Sequence, residues 1–185
     1  MPRKAVQQEL TREMIMDAAR DLFATNGYRN VSMRQIAKVL NYSHGAIYYH
    51  FKNKAELFYA LVEEHFYMLD QKLVQIIAED IPQDEKLESI LLGFIEFGLT
   101  YQSHYEIMFL IKDDEVRNFI NQGPNKTYER FASTIYQLNT KPLSIQEIWS
   151  IFLALHGFVV HYSGHVTSYK EVEAVARAHI KYLIK

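Results

Sequence analysis

A chain of 185 residues, 49% hydrophobic and 23% charged, holds enough apolar mass for one or two packed domains, and its composition excludes a disordered or fibrous protein. It contains no cysteine, which excludes a disulfide framework, a thiolate metal site and a thiol nucleophile and fits a cytoplasmic protein. The net charge of −2 conceals an asymmetry, because residues 1–54 carry nine Lys/Arg against four Asp/Glu, a net of +5, and the remainder carries −7. A basic N-terminal part suits a polyanion, since phosphate attraction is local and screened by salt.

The N-terminal ten residues contain no apolar run of the signal-peptide kind. Ile15, Ala18, Ala19, Leu22 and Phe23 then form a helical stripe that stops at Asn26-Gly27. Met33, Ile36, Ala37 and Leu40 form a second, short stripe, opened by Ser32 with Gln35 at capping-box spacing. Asn41 supplies a residue tolerant of left-handed backbone, Ser43 caps a third helix holding Ile47 and Phe51, and Asn53 with Glu56 caps a long fourth helix to about Glu79. Beyond Pro82, an amphipathic helix starts with Leu87, Ile90, Leu91, Phe94 and Ile95, and further helices are expected at 104–111, 113–121 and 125–138. Two Ser-x-x-Glu boxes, Ser144 with Glu147 and Ser168 with Glu171, open the last two. The apolar run 148–160 is too short to span a bilayer and reads as a buried helix, so no membrane partner is expected. The fold class is all-α, with the domain boundary inside the fourth helix: residues 1–54, then residues 55–185.

About three residues separate the second and third helices, the spacing of a helix-turn-helix, whose second helix enters a DNA major groove. At roughly 100° per residue, Ile47 and Phe51 share one face while Gly45 and Tyr49 lie opposite, with Ala46 and Tyr48 on the flanks. The rings of "HGAIYYHF" therefore cannot all be core. An exposed phenol can bond a phosphate, a histidine at the helix start can reach base-edge acceptors, and Gly45 permits close backbone approach.

Residues 11–58, "TREMIMDAARDLFATNGYRNVSMRQIAKVLNYSHGAIYYHFKNKAELF", resemble the TetR family of bacterial transcriptional regulators. The order A-A-x-x-L-F-x-x-x-G-Y, S-x-R-x-I-A, S-x-G-x-I-Y-Y-H-F and K-x-E-L-F carries the resemblance; Asn41 stands where the family usually has Gly. The resemblance implies a homodimer that reads a palindromic operator on double-stranded DNA, with a C-terminal helical domain that dimerises and binds a small effector. By family position, Arg34, His44, Gly45 and Tyr49 are candidates for base edges, and Ser43, Tyr48, His50 and Lys54 for phosphates. Arg3 and Lys4 are either a minor-groove arm or a frayed terminus. Repression is the expected outcome, with activation as the alternative.

In the C-terminal part, Ala154, Gly157, His161 and Gly164 recur at spacings of three and four and draw a seam of mostly small residues. The resemblance places a dimer bundle at the last two long helices, so this seam, with Val172, Val175, Ala176, His179 and Leu183, is expected at the subunit interface. Large apolar residues with sparse polar groups, Phe94, Phe97, Tyr101, Met108, Phe109, Tyr128, Phe131, Trp149, Phe152 and His156, are the expected lining of an apolar effector pocket.

A metal-dependent enzyme built on His156, His161 and His165 is the competing reading, because His161 and His165 have i, i+4 spacing. No H-E-x-x-H or G-x-S-x-G motif accompanies them. The expectation is therefore a non-enzymatic regulator with no metal and no cofactor.

Overall fold

A computed structural model describes residues 9–111 and 123–184 of the chain. Helix α1 (Arg12–Asn26) is capped by the Thr11 hydroxyl, which accepts from the Met14 amide, and buries Ile15, Ala19 and Phe23. Gly27 stops it at φ +74°, its amide donating to the Phe23 carbonyl. In α2 (Met33–Leu40), Ser32 and Gln35 form the reciprocal capping box expected from their spacing. Asn41 ends it in the left-handed region, φ 62° and ψ 34°, which bends the chain into α3 (His44–His50).

Helix α4 (Lys54–Ala78) has 25 residues, about 37 Å of rise, and is long enough to serve two packing regions. At its start Phe58 meets Phe23 and Tyr28 edge-on, with centroids 5.3 and 5.0 Å apart. Further along, Phe66, Leu69 and Leu73 turn toward the C-terminal helices. Helix α5 (Gln83–Thr100) buries ten residues around its whole circumference and forms the centre of that half. Around it pack α6 (Gln102–Tyr105), which runs on into a π-helical turn (Glu106–Leu110), α7 (Gly123–Leu138), α8 (Ile145–Tyr162) and α9 (Glu173–Leu183).

The Ser144–Glu147 box opens α8 as expected. The Ser168–Glu171 box instead closes around a 3₁₀ turn, Tyr169–Glu171, and α9 begins two residues later. The helix expected at 113–121 and the Arg3–Lys4 arm lie outside the described residues. Among the described residues there is no strand, and no helix is long and apolar enough to cross a membrane.

Gly98 sets the approach of α5 to α8. A Cβ there would stand 2.6 Å from Val159 Cγ1 and 3.0 Å from Tyr105 Cδ2. Because Val159 is stiff about χ1 and fully buried, the helices must separate to admit even a methyl group. Gly98→Ala is expected to destabilise the fold by about 1–3 kcal/mol despite alanine's better helix propensity. Thermal unfolding followed by circular dichroism checks this, and an unchanged midpoint would refute the tight contact.

Candidate DNA-reading face and effector cavity

The face of α3 away from the core is assembled from side chains the protein does not bury. Ile47 and Phe51 are 0% and 1% exposed, and they fix the helix to its own domain. Tyr49 is 89% exposed and Tyr48 43%. Ser43, whose hydroxyl accepts from the Ala46 amide, His44, Gly45 and Arg34 of α2 are also exposed. His44 meets Tyr48 edge-on, with centroids 4.7 Å apart, and Tyr49 meets His50 likewise at 5.4 Å. A Cβ on Gly45 would meet nothing within 4 Å, so no contact within the protein requires glycine there.

Two basic residues hold this face in place. Arg12 donates from Nη1 to the His50 carbonyl at 2.6 Å while its guanidinium lies 4.0 Å over the Phe51 ring. That cation at the C-terminal end of α3 also suits the helix dipole. Lys54 donates from Nζ to the Tyr28 carbonyl at 2.8 Å and sits 4.0 Å over the Tyr28 ring. Sequence reasoning treats Lys54 as a residue reaching outward and assigns Arg12 nothing. Both also tether α1, the loop before α2 and the ends of α3 and α4. Lys54→Met is accordingly expected to lower the thermal midpoint by several degrees, measured by circular dichroism; a midpoint equal to wild type would return Lys54 to a purely external role.

The second half encloses an apolar cavity of about 340 Å³ among α4, α5, the π-helical turn, α7 and α8. Phe94, Met108, Phe109, Tyr128, Phe131, Trp149 and Phe152 line it, as expected from sequence. Three expected members do not. Phe97 is 2% exposed core packed on Tyr101, and Tyr101 is 41% exposed at the end of α5. His156 turns inward, its Nδ1 2.6 Å from the Tyr105 hydroxyl, whose ionisation burial pushes well up. Conversely, Phe66, Leu69, Lys72, Leu73 and Ile76 of α4 contribute one wall. Their helical spacing was legible, but α4 reads as a connector until its length is seen to pass the cavity.

Between the two halves lies a buried polar contact. Arg20 of α1 donates from Nε to His65 Nε2 at 3.1 Å and from Nη2 to Glu64 at 3.3 Å, while its Nη1 pairs with Asp17 at 2.8 Å. The His65 ring is 0% exposed and lies 4.1 Å, centroid to centroid, from His104 of α6. Desolvation, then the His104 and Arg20 charges, holds His65 down to about 3; desolvation and Arg20 hold His104 down to about 4. Both rings are neutral at pH 7, which leaves His65 Nε2 free to accept from Arg20.

Residues 15–61 match the family described as bacterial regulatory proteins, tetR family. From α1 to the first part of α4, the chain matches the TetR family. Of its curated relatives, the HTH-type transcriptional regulator YhgD of Bacillus subtilis is 32% identical over 91 residues, 49% of this chain and 48% of YhgD, so the match spans about half of that relative's length. Among solved structures, the fatty acid degradation regulator FadR from Bacillus halodurans superposes with a TM-score of 0.81 at 19% identity, covering 98% of this chain and 97% of that one. FadR from Bacillus subtilis, in complex with stearoyl-CoA, gives 0.76 at 20% identity over 95% and 98%. At such identities the superpositions establish the TetR-family fold.

The expected dimer residues divide. Gly157, His161 and Gly164 of the α8 seam and Val175 of α9 are exposed, and Ala154 is half-buried. Val172 and Ala176, however, are 6% and 0% exposed inside the protomer, because they point from the 3₁₀ turn and α9 back onto the core. His179 packs on Phe158 at 5.3 Å, and Leu183 is half-buried against the same core. An exposed apolar row shares Gly157 and Gly164 with the expected seam and otherwise runs through Trp149, Leu153 and Val160, with Val175 and Tyr182 on α9. The histidines of the competing enzyme reading do not converge, since His156 faces the interior while His161 and His165 are exposed. Among the described residues no group of three or more His, Asp or Glu could hold a metal ion.

Proposed function

We propose that the chain is a homodimeric, ligand-responsive transcriptional regulator, a repressor released from a palindromic operator by a small, largely apolar effector. The observation that carries this is the outer face of α3, where Tyr48 and Tyr49 are exposed on a domain of net charge +5 while Ile47 and Phe51 are buried beneath them. Beyond edge-on contacts with His44 and His50, these rings bury little inside the protomer, whereas phenols, a histidine at the helix start and a side-chain-free Gly45 suit a major groove. Arg34, His44, Gly45 and Tyr49 are assigned to base edges, and Ser43, Tyr48, His50 and Lys54 to phosphates. Residues 1–54 act as the DNA-binding domain and 55–185 as the effector-binding and dimerisation domain, working in the cytoplasm.

The cavity volume falls in the range of small-molecule sites, about 300–1,000 Å³, and its lining suits an apolar effector. That FadR of Bacillus subtilis is described with stearoyl-CoA supports the same reading. An effector shifts the equilibrium only by its differential affinity for the DNA-competent and released states. Met108 and Phe109 line the cavity a few residues beyond His104, which meets His65 and, through it, Arg20. A ligand that displaces the π-helical turn thereby moves the contact that orients the first three helices.

Pairing through the α8–α9 face gives the two-fold symmetry a palindrome requires. Gly157→Arg tests it cleanly, because a Cβ at Gly157 meets nothing within 4 Å in the protomer. Sedimentation is expected to show monomers; a stable dimer would place the interface elsewhere. The function itself is tested by operator selection from random duplexes with the purified protein. Enrichment of an inverted repeat with half-sites about 34 Å apart, or a multiple of that, is the expected result. Selection that yields no repeat would overturn the proposal.

A further inference from the structure

The apolar cavity is closed on its α4–α5 side by a thin partition. Lys72, Ile76 and Gly93 line it, and the same three residues line a second, polar groove of about 440 Å³ that extends to the 3₁₀ turn and α9. The partition consists of two side chains lying across a glycine: a Cβ on Gly93 would stand 2.8 Å from Ile76 Cδ1 and 3.3 Å from Lys72 Cε. Those atoms are the ends of flexible chains, so rotamer changes can join the two spaces without moving backbone.

Lys72 spans the partition, with its stem against Gly93 and its ammonium 2.7 Å from Glu96, a residue of the groove. Lys72, Lys170 and Arg177 face Glu79, Glu96 and Glu173 around the groove, a balance of three charges of each sign. Arg177 is already held by Glu173 at 2.9 Å and Glu88 at 3.4 Å. Glu96, 45% exposed, can turn to water if another anion takes its place on Lys72.

We propose that the effector is an amphiphilic carboxylate whose apolar tail fills the cavity and whose carboxylate passes the Lys72–Ile76 partition to replace Glu96 on Lys72. This rests on the effector-binding reading above and narrows it to a chemical class. The groove accepts one negative charge by exchange, whereas a polyphosphate headgroup meets repulsion from Glu79, Glu96 and Glu173. The cavity is at the small end of the range for ligand sites, which favours a tail of medium length.

Trp149, the single tryptophan, lines the cavity and reports occupancy by fluorescence. Wild type, Lys72→Met and Glu96→Gln are titrated with dodecanoate, dodecanol and dodecanoyl-CoA, with each variant's fold checked by circular dichroism. Dodecanoate is expected to bind wild type at least about tenfold more tightly than dodecanol and more tightly than the coenzyme A thioester, as a charge-assisted pair requires. Lys72→Met should abolish the preference over dodecanol, and Glu96→Gln should strengthen dodecanoate binding by removing the competing carboxylate. Equal binding of acid and alcohol, a preference that survives in Lys72→Met, tighter binding of the thioester, or no binding of dodecanoate would each overturn the proposal. Operator binding is measured separately on the same preparation: wild type that binds operator but not dodecanoate refutes only this inference, and the converse refutes only the regulator reading.

Discussion

Tyr48→Ala combined with Tyr49→Ala is expected to weaken operator binding by about 100-fold or more while leaving the thermal midpoint unchanged. Each lost contact to a base edge or phosphate is worth about 1–3 kcal/mol, and a dimer loses both rings at each half-site. Stability is spared because Tyr49 is 89% exposed and Tyr48 43%, while the residues that anchor α3 remain. Gly45→Leu is the complementary probe: nothing in the protein lies within 4 Å of a Cβ there, so any loss of binding comes from collision with DNA. Anisotropy titrations with a labelled operator, paired with thermal melts, check both variants. Undiminished affinity of the double variant would remove α3 from the DNA.

Acidification is expected to loosen the contact between the two halves. His65 and His104 are held down to about 3 and about 4, so the folded state stays neutral at about pH 5 while the unfolded chain, near 6.5, takes up the protons. Stability is therefore complete above about pH 6.5 and falls as the pH drops toward 4, by about 2 kcal/mol from His65 alone at about pH 5. At that pH the size of the loss depends on the unfolded value and hardly on how far the folded ring is depressed. Asp17 and Glu64 around Arg20, with Asp21 near His104, oppose the effect without cancelling it, since desolvation is the largest cause for both rings. His65→Gln keeps an acceptor for Arg20 without titrating. Its urea-unfolding free energy should vary less with pH than that of wild type between about pH 7 and 5, and identical profiles would contradict the assignment.

Local signals carried the N-terminal part of the fold. Caps at Ser32, Ser43 and Asn53, the left-handed Asn41 and the 3–4 spaced stripes each depend on residues within one helical turn, and each appears as the spacing implies. The same holds for which rings of α3 face outward, because a helix fixes that by periodicity. Longer-range pairings were not legible. Lys54 reads only as a phosphate contact until the loop carrying Tyr28 folds beneath it, and Arg12 gains its role only when α1 passes the end of α3. The cavity shows the same limit: its rings on α5, α7 and α8 stood out by composition, but the α4 wall and the diversion of His156 to Tyr105 depend on how helices pack. Val172 and Ala176 carry no local mark to separate inner from outer positions, because the Ser168–Glu171 box opens a 3₁₀ turn and shifts the register of α9.

The central claim is that occupancy of the cavity governs what α3 does. Its most direct test is operator affinity by anisotropy with and without saturating dodecanoate, in wild type and in Met108→Trp, whose larger ring fills the cavity from the π-helical turn. The ligand is expected to lower wild-type affinity by about tenfold or more, within the usual range of coupling between sites. The Met108→Trp protein should bind the operator yet ignore the ligand. A ligand that binds wild type, as Trp149 fluorescence reports, and leaves its operator affinity unchanged would contradict the account.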